Sequence, residues 1–161
     1  MSERNENEVA IVVDADGTLF LVDKRKELCE QEAGGVKKKF WGCFQSPKYM
    51  DYDVPNWDVV QFVQDAYKRG ALIIVGTGRS EATQKEATIQ QLKRYNIPFH
   101  ELYMRPTNDF SKDYEHKARI VEMVREKYNP KELILIDDSD EVREKVLPGK
   151  SFPPNRLPKL F

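Results

Sequence analysis

Four short apolar runs interrupt an otherwise polar chain. Residues 9–13, 71–75 and 133–136 are aliphatic throughout, and a weaker run covers 101–104. Runs of this length, rich in Val, Ile and Leu, predict strands buried on both faces. Between them apolar residues recur at intervals of three and four, the period of a helix with one buried side. Residues 57–68 place Val59, Val60, Phe62, Val63 and Ala66 on such a stripe, and Gly70 follows as a stop signal. Residues 81–95 predict a second helix, ended by Asn96 and Pro98. Residues 113–128 predict a third, with Ile120, Val121 and Val124 as its stripe, and 141–146 begin a fourth that Pro148 and Gly149 cut short. Strands alternating with helices predict an α/β fold: an open, parallel, doubly wound sheet with helices on both faces and right-handed crossovers.

The segment 21–56 has no clear period. It holds the basic runs Lys24-Arg25-Lys26 and Lys37-Lys38-Lys39 and the aromatics Phe40, Trp41, Phe44, Tyr49 and Tyr52. It reads equally as a lip that meets a phosphorylated ligand, with rings to stack on bases, or as a solvated lysine face beside rings that pack on the core. The Pro-rich end, 152–161, either folds back on the body or reaches a neighbouring chain.

Composition narrows the class. The chain has 161 residues, 40% hydrophobic and 33% charged, with a net charge of -1, which suits one globular domain over 1–161 and not a generally basic, DNA-coating protein. Cys29 and Cys43 are the only cysteines and His100 and His116 the only histidines, with no CxxC pair, so zinc is not expected. The cysteines are expected as free thiols in a reducing compartment. Met1 to Glu8 is polar and charged and no run reaches the ~20 apolar residues of a membrane span, so the expected location is cytoplasmic.

In open parallel sheets ligands gather beyond the carboxyl ends of the strands. After the first run comes Asp14-Ala15-Asp16-Gly17-Thr18, and after the second Gly76-Thr77-Gly78-Arg79. After 101–104 comes Arg105, with Lys117 twelve residues on, and after 133–136 comes Asp137-Asp138. Clustered carboxylates need a cation to stay ionised together, and an all-oxygen set favours Mg2+. Asp14 can attack phosphorus to give an aspartyl phosphate, and Asp16 can protonate the leaving oxygen and later activate water. Thr77, Arg79, Arg105 and Lys117 offer donors and positive charge to phosphoryl oxygens.

These residues resemble the haloacid dehalogenase superfamily of phosphotransferases, through Ile11-Val12-Val13-Asp14-Ala15-Asp16-Gly17-Thr18, Thr77 at a strand end, Lys117 and Asp137-Asp138. The resemblance implies a three-layer, Rossmann-like fold with a small cap or flap at 21–56. It implies Asp14 as nucleophile, Asp16 as acid/base, and Thr77 and Lys117 orienting the phosphoryl group. Mg2+ would be held by the Asp14 side chain, the Asp16 carbonyl and Asp138, with Asp137 behind them. A narrower resemblance is to the 3'-phosphatase domains of bacteriophage polynucleotide kinase/phosphatases, carried by Ile74-Val75-Gly76-Thr77-Gly78-Arg79, by the spacing of Arg105 to Asp109, Asp113 and Lys117, and by Leu135-Ile136-Asp137-Asp138. It implies that Gly78, Arg79 and Arg105 assist phosphate binding, and that the substrate is a phosphorylated nucleic-acid end; the alternative is a small-molecule phosphatase or nucleotidase. The family's kinase motif is not expected, because Gly149-Lys150-Ser151 lacks its first glycine: position 144 is Glu. Glu81 likewise breaks a dinucleotide fingerprint at Gly76-Thr77-Gly78.

Overall fold

The computed structural model describes residues 8–160. The polar start of the chain, Glu8 excepted, and Phe161 of the Pro-rich end lie outside the described residues. Five parallel strands form the central sheet: β1 (Val9–Val13), β4 (Leu72–Ser80), β5 (Glu101–Arg105), β6 (Glu132–Ile136) and β7 (Ser151–Phe152), in the order β5-β4-β1-β6-β7. Two further short strands, β2 (Phe20–Leu21) and β3 (Val54–Pro55), pair antiparallel as a separate ribbon.

The alternation of the central strands sorts their side chains onto two faces. Ile11, Val13, Ile73, Val75, Ile134 and Ile136 point to one side, where helix α3 (Trp57–Lys68) packs with Val59, Val60, Val63 and Ala66. Ala10, Val12, Leu72, Ile74, Leu133 and Leu135 point to the other, covered by α5 (Asp113–Tyr128) and α6 (Asp140–Val146) through Ile120, Val121, Val124 and Val142. The result is the expected three-layer α/β architecture with aliphatic cores on both faces.

The β1 register pairs Val13 with Val75 on one flank and with Ile136 on the other. Three chain segments therefore leave the sheet side by side at its carboxyl edge. The strand β4 runs further than expected: Thr77, Gly78 and Arg79 lie inside it, because pairing to β5 resumes at Ser80–Arg105 after an irregularity that begins at Gly76. The Pro-rich end folds back on the body, with Phe152, Leu157 and Leu160 against the α3-side core. Among the described residues no helix is long and apolar enough to cross a membrane.

The unreadable segment contains two helices, α1 (Asp23–Ala33) and α2 (Lys37–Phe44), and a 3-10 turn (Met50–Tyr52), all set between the two strands of the β2–β3 ribbon. The α1 stripe escaped the apolar pattern because its buried residues are Arg25, Cys29 and Ala33, four apart and only partly apolar. Helix α4 (Glu81–Arg94) is similar: it buries Gln84, Thr88 and Gln91 beside Leu92. Cys29 and Cys43 correct the expectation of free thiols, since they form a disulfide that clips α1 to α2 across a separation of 14 positions. Near-helical neighbours brought face to face put the two sulfurs in reach, which spacing along the chain does not reveal. A loop of this size is worth about 3 kcal/mol in constraint of the unfolded chain. Urea denaturation of the Cys29→Ser/Cys43→Ser double variant is expected to show a loss of that order. An unchanged midpoint would show that the clip adds nothing to stability.

Candidate active site

The carboxyl edge of the sheet carries two linked charge clusters. In the first, the Lys117 ammonium reaches across from α5 to Asp14 Oδ1 at 3.0 Å and Asp137 Oδ2 at 2.5 Å. The stripe of α5 that buries Ile120, Val121 and Val124 also buries His116 and Lys117 one turn earlier, at the end nearest the strand termini. Burial alone would lower the Lys117 pKa, but Asp14 and Asp137 outweigh it and hold the ammonium above its ordinary value. Asp14 is pushed the other way. Burial raises it well above the usual carboxylate range, and Asp137 and Asp138 add repulsion that Lys117 only partly offsets.

Asp138 lies in hydrogen-bond contact with Asp14 and is itself raised, by burial and by Asp137. Two carboxylates stay in contact only by sharing a proton or a cation. Asp14, Asp137 and Asp138 each offer an oxygen, and the three lie within 4.8 Å of one another, a set able to hold a metal ion. Its all-carboxylate character suits a hard divalent cation. Within the set Asp137 is the most committed: Oδ2 takes the lysine and Oδ1 accepts the Ser139 N–H at 2.9 Å. Gly17 leaves room for Asp138. It sits at φ 80°, and a Cβ there would stand 2.3 Å from Asp138 Oδ2, so a side chain at position 17 is excluded twice over.

The second cluster surrounds Asp16. Its Oδ1 accepts from Arg25 Nη2 at 2.6 Å and from Arg79 Nε at 2.9 Å. Burial would raise the Asp16 carboxyl, yet the Arg79 and Arg25 guanidiniums hold it below the ordinary value. Both arginines are buried, and both also grip Asp53: Arg25 Nε at 3.1 Å from Oδ1, Arg79 Nη2 at 3.2 Å from Oδ2. Gln91 Nε2 donates to Asp53 Oδ2 at 3.1 Å, while Gln91 Oε1 and Thr88 Oγ1 accept from Arg79 Nη1 at 2.8 and 3.0 Å. Arg25 is held further by the Phe44 carbonyl at 3.1 Å and by the Phe44 ring, whose centre lies 4.4 Å from the guanidinium carbon. The polar buried stripe of α4 thus has its reason: Thr88 and Gln91 satisfy the guanidinium of Arg79, while Gln84 accepts the Ser80 N–H and donates to the Phe44 carbonyl.

The structure brings Asp14, Lys117, Asp137 and Asp138 together, as the strand-end reading expects. Thr77 is buried on β4, two positions beyond the Val13–Val75 pair, and its Oγ1 accepts the Arg79 N–H at 3.1 Å, which leaves its own proton to donate. The Asp16 carboxylate faces the arginines, so its part toward a cation would fall to the main-chain carbonyl. Arg79, expected to touch phosphate, has its donors committed to Asp16, Asp53, Thr88 and Gln91; it positions Asp16. Arg105 is likewise engaged. Its Nη1 donates to the Ser111 carbonyl at 2.8 Å and its Nη2 to Asp113 at 2.6 Å, beside Gly78, whose notional Cβ lies 3.8 Å from Nη2. His116 meets the Thr77 carbonyl at 2.8 Å and tethers α5 to β4, and burial lowers its pKa.

Sequence reasoning missed Arg25, Asp53, Thr88 and Gln91. Arg25 is hidden inside a lysine-like run, and its one signal is the four-residue spacing to Cys29 and Ala33. Asp53 has no signal, since an aspartate before Val-Pro reads as loop.

Comparison with known proteins agrees with this geometry. The sequence model described as "Polynucleotide kinase PNKP phosphatase domain" matches residues 42–146, well over half of the chain. Among solved structures, chains from a Pnkp1/Rnl/Hen1 complex and from a Pnkp1/Rnl/Hen1 RNA repair complex superpose with TM-scores of 0.62 and 0.67 at 27% and 28% identity, over 90% and 95% of this chain. This chain spans 45% and 44% of those chains, less than half of their length. A haloacid dehalogenase-like hydrolase from Streptococcus pneumoniae shares the fold at 13% identity, with TM-score 0.58 over 87% of this chain and 80% of its own. No curated protein sequence matches. A parallel sheet with its acidic edge, together with a family match across most of the chain, makes this protein a phosphatase of the haloacid dehalogenase superfamily, and it belongs to the family of polynucleotide kinase PNKP phosphatase domains.

Proposed function

We propose that the protein removes the terminal 3'-phosphate of a nucleic-acid strand in a Mg2+-dependent reaction that passes through an aspartyl phosphate on Asp14. The observation that carries the chemistry is the Lys117 bridge between Asp14 and Asp137, 3.0 and 2.5 Å long, with Asp138 at the same place. The substrate class rests on the family match and on relatives from an RNA repair complex.

In this reading Asp14 and Asp138, with the Asp16 carbonyl, hold Mg2+, and Asp137 orients Lys117 from behind. Bound Mg2+ supplies positive charge to neutralise the phosphoryl oxygens. Lys117 fixes the Asp14 carboxylate through Oδ1, and Oδ2, which takes a long 3.4 Å bond from the Thr18 hydroxyl, is the oxygen that faces phosphorus. The Thr77 hydroxyl donates to a phosphoryl oxygen. Asp14 forms the new O–P bond as the bond to the 3'-oxygen breaks, and Asp16 gives that oxygen its proton. Water then attacks phosphorus, Asp16 takes the water's proton, and Asp14 leaves as a carboxylate. Arg25 and Arg79 hold Asp16 in place and ionised, which favours the base role in the second step. The approach of an anionic phosphate opposes that ionisation and favours uptake of the proton for the first. Residues 21–56 act as a flap beside this site.

Assays with Mg2+ on a 3'-phosphorylated oligonucleotide and on a free 3'-nucleotide test the proposal. The expected outcome is release of phosphate, faster from the oligonucleotide, silenced by EDTA and restored by added Mg2+. Equal or better turnover of the free nucleotide rejects the polymer preference, and full activity in EDTA rejects the metal.

A further inference from the structure

A cavity of about 780 Å³ opens directly beside the reacting groups, within the ~300–1,000 Å³ of small-molecule sites. Asp16, Gly17 and Asp138 form one wall. Helix α1 lines the cavity with Asp23, Lys26, Glu30 and Ala33, and α2 with Lys37, Phe40, Trp41 and Phe44, the three- and four-residue spacing of one helix face. The rings make one cluster. Phe40 stacks on Phe44 with centres 5.4 Å apart and planes 14° apart, and Trp41 stands nearly perpendicular to both, at 81° and 83°. No ring of the cluster stacks on the indole, which is 51% exposed.

We propose that this cavity receives the base of the 3'-terminal nucleoside, stacked against Trp41, while its phosphate meets Asp14. The inference rests on the phosphatase reading above and adds the residue that selects a nucleoside. Two observations favour a base over other occupants. The cavity borders the catalytic turn at Asp16, Gly17 and Asp138, so a group carried on a phosphate at Asp14 is within its reach. Its charged lining is mixed: Lys26 and Lys37 are balanced by Asp23 and Glu30, beside Asp16 and Asp138. That lining gives no net attraction for a second phosphate, whereas a neutral aromatic ring gains from stacking whatever its sequence. The α2 lining is also tied to the chemistry, because Phe44 holds Arg25 through both its carbonyl and its ring, and Arg25 holds Asp16.

The test compares wild type with Trp41→Ala on three substrates in Mg2+: a 3'-phosphorylated oligonucleotide, the same strand with an abasic 3'-terminal sugar, and glycerol 2-phosphate. On the complete oligonucleotide KM is expected to rise about tenfold in the variant, the scale of one lost base–aromatic stack, with kcat within about twofold. Loss of the base is expected to raise the wild-type KM by a similar factor, and Trp41→Ala to add nothing on the abasic strand. Glycerol 2-phosphate is expected to be turned over equally by both proteins. Because the abasic arm needs only the wild type, it stands even if the variant folds poorly. A wild type indifferent to the missing base, or a variant weakened equally on all three substrates, overturns the base site and leaves the phosphatase reading intact. A wild type that handles the oligonucleotide no better than glycerol 2-phosphate overturns the 3'-end reading, and the base site with it.

Discussion

Replacing Asp14 with asparagine is expected to abolish turnover, by at least about 10⁴-fold in kcat, the scale seen when a covalent nucleophile is removed. An amide has no carboxylate to form the O–P bond, and the Lys117 ammonium that orients Asp14 from 3.0 Å would then face a neutral group. Stability should move little. The Asp14 carboxyl is raised well above its ordinary value by burial and by Asp137 and Asp138, so its charge weighs against the folded state. Neutralising it relieves that repulsion while removing half of the Lys117 pairing, and the two effects offset to within about 1 kcal/mol. Phosphate release and urea denaturation on the same preparation separate the two quantities. Undiminished turnover in a folded Asp14→Asn protein would defeat the mechanism.

The second large effect concerns folding. Asp53→Ala is expected to destabilise the protein by about 3–5 kcal/mol, the cost of leaving a buried charge without its partner. The Asp53 carboxylate is wholly buried and accepts from Arg25, Arg79 and Gln91. Its removal leaves two buried guanidiniums to share Asp16. It also cuts the link by which the segment between β2 and β3 is anchored to the strand β4. Turnover should fall too, through misplacement of Asp16, and Asp53→Asn should recover packing but only part of the stability. A urea midpoint within about 0.5 kcal/mol of wild type would show that the cluster is not a coupled network, since surface-like substitutions lie in that range.

The charged residues of this protein divide according to how they were recognisable. Asp14, Asp16, Thr77, Asp137 and Asp138 stand at or near the ends of apolar runs, and strand ends are where an open parallel sheet collects its chemistry; Lys117, inside α5, was recognisable by the family resemblance instead. Of the five strands of the central sheet, the apolar runs found β1 and β6 to within a residue, because buried parallel strands are aliphatic and leave a local mark, found the weaker, half-buried β5 as well, and gave no sign of the two-residue β7. They stopped β4 at Val75, since the Gly-Thr-Gly-Arg continuation is paired by β5 and not by its own composition. Helices α1 and α2 left no such mark. Helix α1 buries Arg25, Cys29 and Ala33, and α2 buries Cys43 alone while its aromatic residues stay partly or largely exposed, so neither presents an aliphatic stripe.

The amino-acid sequence by itself determined the layered α/β fold and the acidic edge, because both follow from the local order of aliphatic runs and the residues that end them. Only the tertiary structure decided that Arg79 positions Asp16, that Arg25 and Asp53 complete its surroundings, and that Cys29 pairs with Cys43. Those are contacts between residues far apart in the chain. A buried charge is tolerated only where several partners converge on it, and convergence of that kind is a property of packed elements that no single stretch of sequence contains.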